Sequence, residues 1–246
     1  MVSKIGLSIS MHNEIEETMR AVESFQKFHP KTQIRIWGNE PKDLRIVGKK
    51  LNLPVIDSPQ YVNQLMQVLH SPNGRDVKEG AKILREFLVC ALEVYKSMKC
   101  EYVVYLHPDH LVVGQFSDKK LKNDLEIHKV NRYTQNQRAA WKSATGKPLR
   151  LRAYGLAGYF RRASLVSAIE LLLDDDKVKL DELLALDLDF IFEDLIIPCA
   201  FDYLDYSICD QNLTMEIRRR KRMRNFIIKP ILFHQMPKIS RAPYLE

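Results

Sequence analysis

The sequence predicts an α/β fold in which a mostly parallel central sheet is flanked by helices. Three observations carry that prediction. Residues 4–56 alternate strand, helix, strand, helix, strand, an order that builds a parallel sheet through right-handed crossovers. Residues 102–106 read YVVYL, an unbroken run of β-branched, aromatic and aliphatic side chains suited to a strand buried on both faces. Residues 79–98, just before that run, place Ile83, Phe87, Leu88, Ala91, Leu92 and Tyr95 at helical spacing, which gives a helix one buried stripe.

The first strand covers 4–11 (KIGLSISM) and is interrupted by His12-Asn13-Glu14. A helix follows, with Met19, Val22 and Phe25 on its apolar face and Asn13 as a suitable N-cap. Glu14, Glu16 and Glu17 fall in its first turn, where the helix dipole favours anions, and His29-Pro30 ends it. Residues 33–37 (QIRIW) alternate as a second strand, 43–51 form a short helix and 53–56 a third strand. Residues 61–69 read as a helix and Ser71-Pro72-Asn73-Gly74 as a turn. Beyond the central strand, 118–128 reads as a helix, 131–147 as a polar loop around Trp141, and 149–154 (LRLRAY) as an alternating strand. Gly155-Leu156-Ala157-Gly158 leads into Tyr159-Phe160-Arg161-Arg162 and a helix over 163–173. Residues 195–203 form an apolar helix that tolerates Pro198 if the proline falls in its first turn. Residues 206–209, 213–217 and 226–233 have strand composition, and His234 follows directly.

With 246 residues, 46% of them hydrophobic, the chain can bury a full core, as one large α/β domain or two small ones. No apolar run approaches the ~20 residues of a membrane span, and the start leads into a strand pattern rather than a signal peptide. Cys90, Cys100, Cys199 and Cys209 lie in apolar surroundings with no CxxC pair, which suits reduced thiols and a cytoplasmic setting. The net charge of +7 is uneven, with Arg218-Arg219-Arg220-Lys221-Arg222 and Arg224 as the densest run. Such a run suits an anionic lipid surface, a phosphorylated substrate or nucleic acid; as a motif it fits a solvated basic loop equally well.

The central strand ends in His107-Pro108-Asp109-His110. In open α/β sheets ligands bind at the carboxyl ends of the strands. Imidazole nitrogen and carboxylate oxygen both donate to divalent cations, and Pro108 stiffens the corner that carries them. Other polar groups fall at strand ends or helix starts: His12-Asn13-Glu14, Asn39-Glu40, Glu193-Asp194 and His234. Each alone is more often structural than functional, and their order along the chain raises the odds of a site.

In that order they resemble the nucleotide-sugar-dependent glycosyltransferases of the GT-A fold, chiefly the inverting family 2 type. The resemblance covers most of the chain as one domain over 1–246: a Rossmann-like nucleotide-sugar-binding half over about 1–114 and an acceptor-side half over about 115–246. It implies that Ser10, His12, Asn13 and Glu14 lie beside the nucleotide and that Asn39 reaches the base. Lys82 and Arg85 resemble the basic residues before the metal motif. His107-Pro108-Asp109 stands where the family has Asp-x-Asp, and Gly158 belongs to the glycine-rich acceptor-side loop. Glu193-Asp194 resembles the motif that supplies the catalytic base, with Asp194 the first candidate, and His234 the late histidine that completes a metal site.

The implied donor is a nucleotide-diphosphate sugar, UDP at family level, and the implied acceptor a saccharide or lipid-linked hydroxyl. The implied metal ligands are Asp109, His107 and His234, holding Mn²⁺ or Mg²⁺. His107 in place of an aspartate brings no negative charge, so the site is expected to be weak or filled only with the nucleotide present. A cation across the phosphates neutralises the leaving group, and a general base activates the acceptor hydroxyl. A carboxylate at a helix N-terminus is well placed for that base, provided that partial burial offsets the dipole. Peripheral membrane contact through Arg218–Arg222 fits a lipid-linked acceptor.

Two other classes fit parts of the chain. A nucleic-acid-binding or scaffold protein could use the 218–224 run, but no binding-module pattern occurs and no nucleic acid is expected as a partner. A nucleotidyltransferase also uses strand-end carboxylates and a metal. It would want a glycine-rich phosphate loop near the first strand, where Gly6 stands alone, and no Walker A, GxSxG or GxGxxG motif is present.

Overall fold

The structure, a computed structural model, describes residues 4–11, 14–38, 41–58, 68–69, 76–116, 121–127, 133–150, 158–191, 193–210, 214–216 and 232–234. Among these the predicted opening alternation is present: β1 (Ile5–Met11), α1 (Ile15–Phe28), β2 (Gln33–Gly38), α2 (Pro41–Leu51) and β3 (Val55–Asp57). Then come α3 (Val77–Ser97) and the central strand β4 (Tyr102–Leu106). Asp76 caps α3 by accepting the Glu79 N–H at 3.0 Å. The rest of the chain supplies β5 (Leu111–Val112), β6 (Leu125–Ile127), α4 (Gln135–Thr145), β7 (Gly158–Arg161) and α5 (Arg162–Leu172). It closes with α6 (Leu180–Leu186), α7 (Glu193–Tyr203), β8 (Ile208–Asp210), β9 (Thr214–Glu216) and β10 (Leu232–His234).

Seven strands form the main sheet in the order β3-β2-β1-β4-β7-β6-β8. β3, β2, β1 and β4 are mutually parallel, β7 is antiparallel to both β4 and β6, and β8 is parallel to β6. β5, β10 and β9 make a second, three-stranded sheet. Both faces of the main sheet are covered, as the apolar runs require. Ile5, Leu7, Ile9, Met11, Tyr102, Val104 and Leu106 pack against Val22 and Phe25 of α1 and Leu44 and Val47 of α2. Trp37, Val103, Tyr105 and Phe160 face α3 and the C-terminal helices. The buried Trp37 Nε1 donates to the buried Ser8 Oγ at 3.0 Å, which satisfies the indole inside the core. All four cysteines are free, and burial raises the Cys90 and Cys100 thiols to about 11 and Cys199 further still.

Several expectations change. Residues 131–147 hold a helix, α4, not a loop. Its capping box pairs Thr134 with Gln137, and Gly146 ends it in the left-handed region. Its buried face is Gln137, Ala140, Trp141 and Ala144, so little hydropathy marks it. The helix expected over 118–128 is replaced at its C-terminal end by β6, a strand that exists because β7 and β8 flank it. Leu149 and Arg150 are not in a strand, and 151–157 lie outside the described residues, as do 61–67 and 71–74. α6 was not expected from the sequence. Pro198 lies in the second turn of α7, so the Asp194 carbonyl loses its helical donor. Among the described residues no helix is long and apolar enough to cross a membrane.

At the N-terminal end of β4 one carboxylate ties four segments together. Asp124 accepts from Arg161 Nη1 at 3.3 Å, Ser164 Oγ at 2.7 Å, and Ser207 N and Oγ at 3.0 and 2.8 Å. Burial pushes its pKa up, but the Ser164 and Ser207 hydrogen bonds and the Arg161 charge outweigh this and hold it below the usual carboxylate range. A depressed folded pKa contributes stability above the unfolded value of about 3.9, and that stability is lost as pH falls through the folded value. Asp124→Asn is therefore expected to lower stability by about 2–3 kcal/mol at pH 7. The deficit should shrink on acidification towards about pH 3. Urea unfolding at the two pH values checks this, and an equal deficit at both would contradict it.

Candidate active site

The parallel strands β1, β2 and β4 all end at one edge of the sheet. Ile9 pairs with Leu106 and Met11 with Gly38, so the corner after β4 stands level with the end of β1. On its other side, antiparallel β7 begins at that edge, with Gly158 paired to Tyr105. Ser10 is buried opposite Trp37, Glu14 is half-buried just before α1, and Gly158 is buried. His12, Asn13 and Asn39, all implied for the nucleotide, lie outside the described residues.

The corner is a hydrogen-bonded turn. His110 N–H donates to the His107 carbonyl at 3.1 Å, with Pro108 in the second position, where its fixed φ suits the turn. His107 N–H donates to His110 Nδ1 at 2.9 Å. A backbone N–H is a fixed donor, so Nδ1 accepts in this contact; the same nitrogen lies 3.2 Å from the His107 carbonyl oxygen. His110 is fully buried, while the Asp109 side chain is 40% exposed with Oδ1 3.6 Å from His110 Nδ1. The His107 ring meets Tyr105 edge-on at 5.2 Å. Its Nε2 is buried without a hydrogen-bond partner among the described residues.

Helix α1 holds this segment down. Ser24 Oγ accepts the Val112 N–H at 3.0 Å, and His29 Nε2 accepts the Phe116 N–H at 3.1 Å. Arg20, one turn before Ser24, is half-buried. Burial lowers its pKa, while the negative charges of Glu17 and Asp109 raise it. It remains a guanidinium cation, so the corner holds a fixed positive charge within electrostatic range of Asp109. Sequence reasoning missed Arg20, because only the fold brings α1 beside the corner. An arginine next to the apolar positions Met19 and Val22 was the available signal.

The remaining predicted residues divide between this edge and elsewhere. Four residues link α7 to β8, which runs parallel to β6 and hence to β4. The helix starts at Glu193 and Asp194, whose side chains lie outside the described residues. β10 pairs antiparallel with β5, Leu232 with Val112 and Phe233 with Leu111. That register brings the His234 backbone opposite His110; its side chain, too, lies outside the description. Arg85 bonds the Leu173 carbonyl at 3.4 Å and pairs with Asp175, closing the C-terminus of α5. Lys82 pairs with Glu79 at 3.3 Å on the exposed face of α3. The basic run 218–224 is outside the described residues.

Among the described residues no three His, Cys, Asp or Glu side chains converge as a metal site. Of the implied metal ligands, His107 Nε2 is buried without a hydrogen-bond partner among the described residues and the Asp109 carboxylate is partly exposed; imidazole nitrogen and carboxylate oxygen are donor types that a divalent cation accepts.

Comparison with solved structures gives the fold a name. Over 95% of its length the chain is similar to 87% of the galactosyltransferase LgtC in complex with donor and acceptor sugar analogues, at 13% identity and TM-score 0.55. It is also similar to an active-site mutant of LgtC, at 13% identity, TM-score 0.48 and 94% and 87% coverage. The apo bifunctional glycosyltransferase WbbM matches at 10% identity and TM-score 0.48, over 97% of this chain and 46% of WbbM. The first likeness shows the fold, that of the GT-A glycosyltransferases. No protein-family model matches the chain, and no curated protein sequence matches it significantly.

Gly38 ends β2 beside Met11, and a Cβ there would overlap the Met11 carbonyl oxygen, which is backbone and cannot swing aside. Gly38→Ala is expected to cost at least about 1–3 kcal/mol by forcing the ends of β1 and β2 apart. Thermal unfolding checks this; an unchanged midpoint would show that the strand ends can part freely.

Proposed function

We propose that this chain is a glycosyltransferase that moves a sugar from a nucleotide-diphosphate donor to a hydroxyl acceptor. The observation that carries the proposal is the His107–Asp109 corner, set at the strand ends of a GT-A fold. The LgtC structure of similar fold holds donor and acceptor sugar analogues, which favours a saccharide acceptor for this chain as well.

In this reading the nucleotide lies across the ends of β1 and β2, against Ser10, His12, Asn13, Glu14 and Asn39. Its diphosphate approaches the corner. His107 and Asp109, with His234 as third ligand, would hold Mn²⁺ or Mg²⁺, whose charge neutralises the leaving diphosphate. The Arg20 cation adds fixed positive potential at the same corner, in a place that needs no reorganisation during reaction. Asp194, or Glu193 beside it, removes the proton of the acceptor hydroxyl from the other side of the crevice. The family 2 resemblance favours inversion, which NMR of the first-formed product would read directly. The basic run 218–224 suits a phosphorylated or lipid-linked acceptor at a membrane surface.

Asp109→Asn should remove most transfer from a nucleotide sugar in the presence of Mn²⁺, because it deletes the charge while keeping the shape. Normal turnover would remove this corner from the mechanism. Asp194→Asn should abolish transfer, with donor affinity by calorimetry within about twofold of the parent, because a base acts on the acceptor. Lost donor affinity with intact chemistry would assign Asp194 to the donor instead, and a comparable loss in Glu193→Gln alone would move the base by one residue.

A further inference from the structure

We infer that Gln137 of α4 is a positioning residue for the start of α7, and so for the candidate base. This inference rests on the glycosyltransferase reading above. Gln137 is buried, at 8% exposure. Its side-chain oxygen accepts the Thr134 N–H at 2.9 Å, and Thr134 Oγ1 accepts the Gln137 N–H at 3.1 Å. That much is a capping box, which glutamate closes as well as glutamine does. At the third position of a helix the dipole would favour glutamate. The Gln137 amide nitrogen, however, also donates to Asp189 Oδ2 at 3.1 Å. A glutamate could not donate there and would set two carboxylates against each other. Glutamine at this position is thus explained by the bond to Asp189 and not by the cap.

Asp189 belongs to the 3₁₀ turn Leu188–Ile191, which leads into α7 at Glu193. One turn along α4, Trp141 packs on Phe190 with ring centroids 6.0 Å apart. Positions 137 and 141 share one helix face, so α4 grips two successive residues of the turn, one by a hydrogen bond and one by an aromatic contact. The body of α7 is fixed by its own buried residues, Leu195 to Phe201. Glu193 and Asp194 come before these residues in the chain, and the gripped turn ends one residue before α7 starts.

The experiment compares the wild-type chain, Gln137→Glu, and Gln137→Glu combined with Asp189→Asn, which restores the bond with donor and acceptor exchanged. Hydrogen exchange of the 189–195 amides, the thermal midpoint, donor affinity, and kcat and KM for the acceptor are read on each. The expected result is faster exchange over 189–195 and about a tenfold fall in kcat for Gln137→Glu. Donor affinity should hold within about twofold, and the double variant should recover both exchange and kcat. Unchanged exchange or unchanged kcat in Gln137→Glu, or no recovery in the double variant, would overturn the inference. A fall in kcat that merely follows a lowered thermal midpoint would do the same. A wild-type chain that transfers no sugar from any nucleotide donor would instead overturn the functional reading, while the exchange data would still judge the link between α4 and the turn.

Discussion

β4 has a parallel neighbour on one side and an antiparallel one on the other. It pairs with β1 as far as Leu106 and with β7 as far as Tyr105, and the chain then enters the turn that contains Pro108. The polar corner His107–His110 occupies that position. Its geometry follows from a small number of bonds: the turn closed between His110 N–H and His107 carbonyl, and the His107 N–H spent on His110 Nδ1. His110, fully buried, thereby serves the corner as an internal acceptor, while Asp109 is left partly open to solvent.

Helix α1 makes that corner rigid. Arg20, Ser24 and His29 follow one another along it and engage the chain from Asp109 to Phe116 by charge, by a hydroxyl and by an imidazole. The same helix buries Val22 and Phe25 against β1 and β4. A single element therefore joins the apolar core to the polar edge, and the corner inherits the stiffness of the core. At the opposite end of the sheet, Asp124 plays the equivalent part for β6, β7, α5 and β8. The two polar clusters lie at opposite ends of the sheet and bracket an apolar middle.

The elements that read clearly in the sequence are those whose burial is one-sided or complete over several residues. β1, α1, β2, α3 and β4 carry that pattern locally. α4 does not: its buried face is alanine, glutamine and one tryptophan, and its start is marked by a capping box more than by hydropathy. β6 is three residues long and carries a buried glutamate, Glu126, whose carboxylate accepts the Lys122 and Asn123 N–H groups. A glutamate within an expected polar helix gives no warning that it will be the buried middle residue of a strand.

For the candidate site, local sequence was enough to show which residue types stand at strand ends, His107, Asp109 and His234, and at a helix start, Glu193-Asp194. These are local facts, because strand and helix ends are set by neighbours a few residues away. Their neighbours were set by the three-dimensional fold. It put Arg20 beside Asp109, committed Arg85 to the end of α5, brought the His234 backbone level with His110 through β5–β10 pairing, and tied Gln137 to Asp189. Each of those contacts joins residues far apart in the chain. The physical reason is that hydrogen bonds and charges act over a few ångströms in space, whereas sequence patterns report only on spacing along one element.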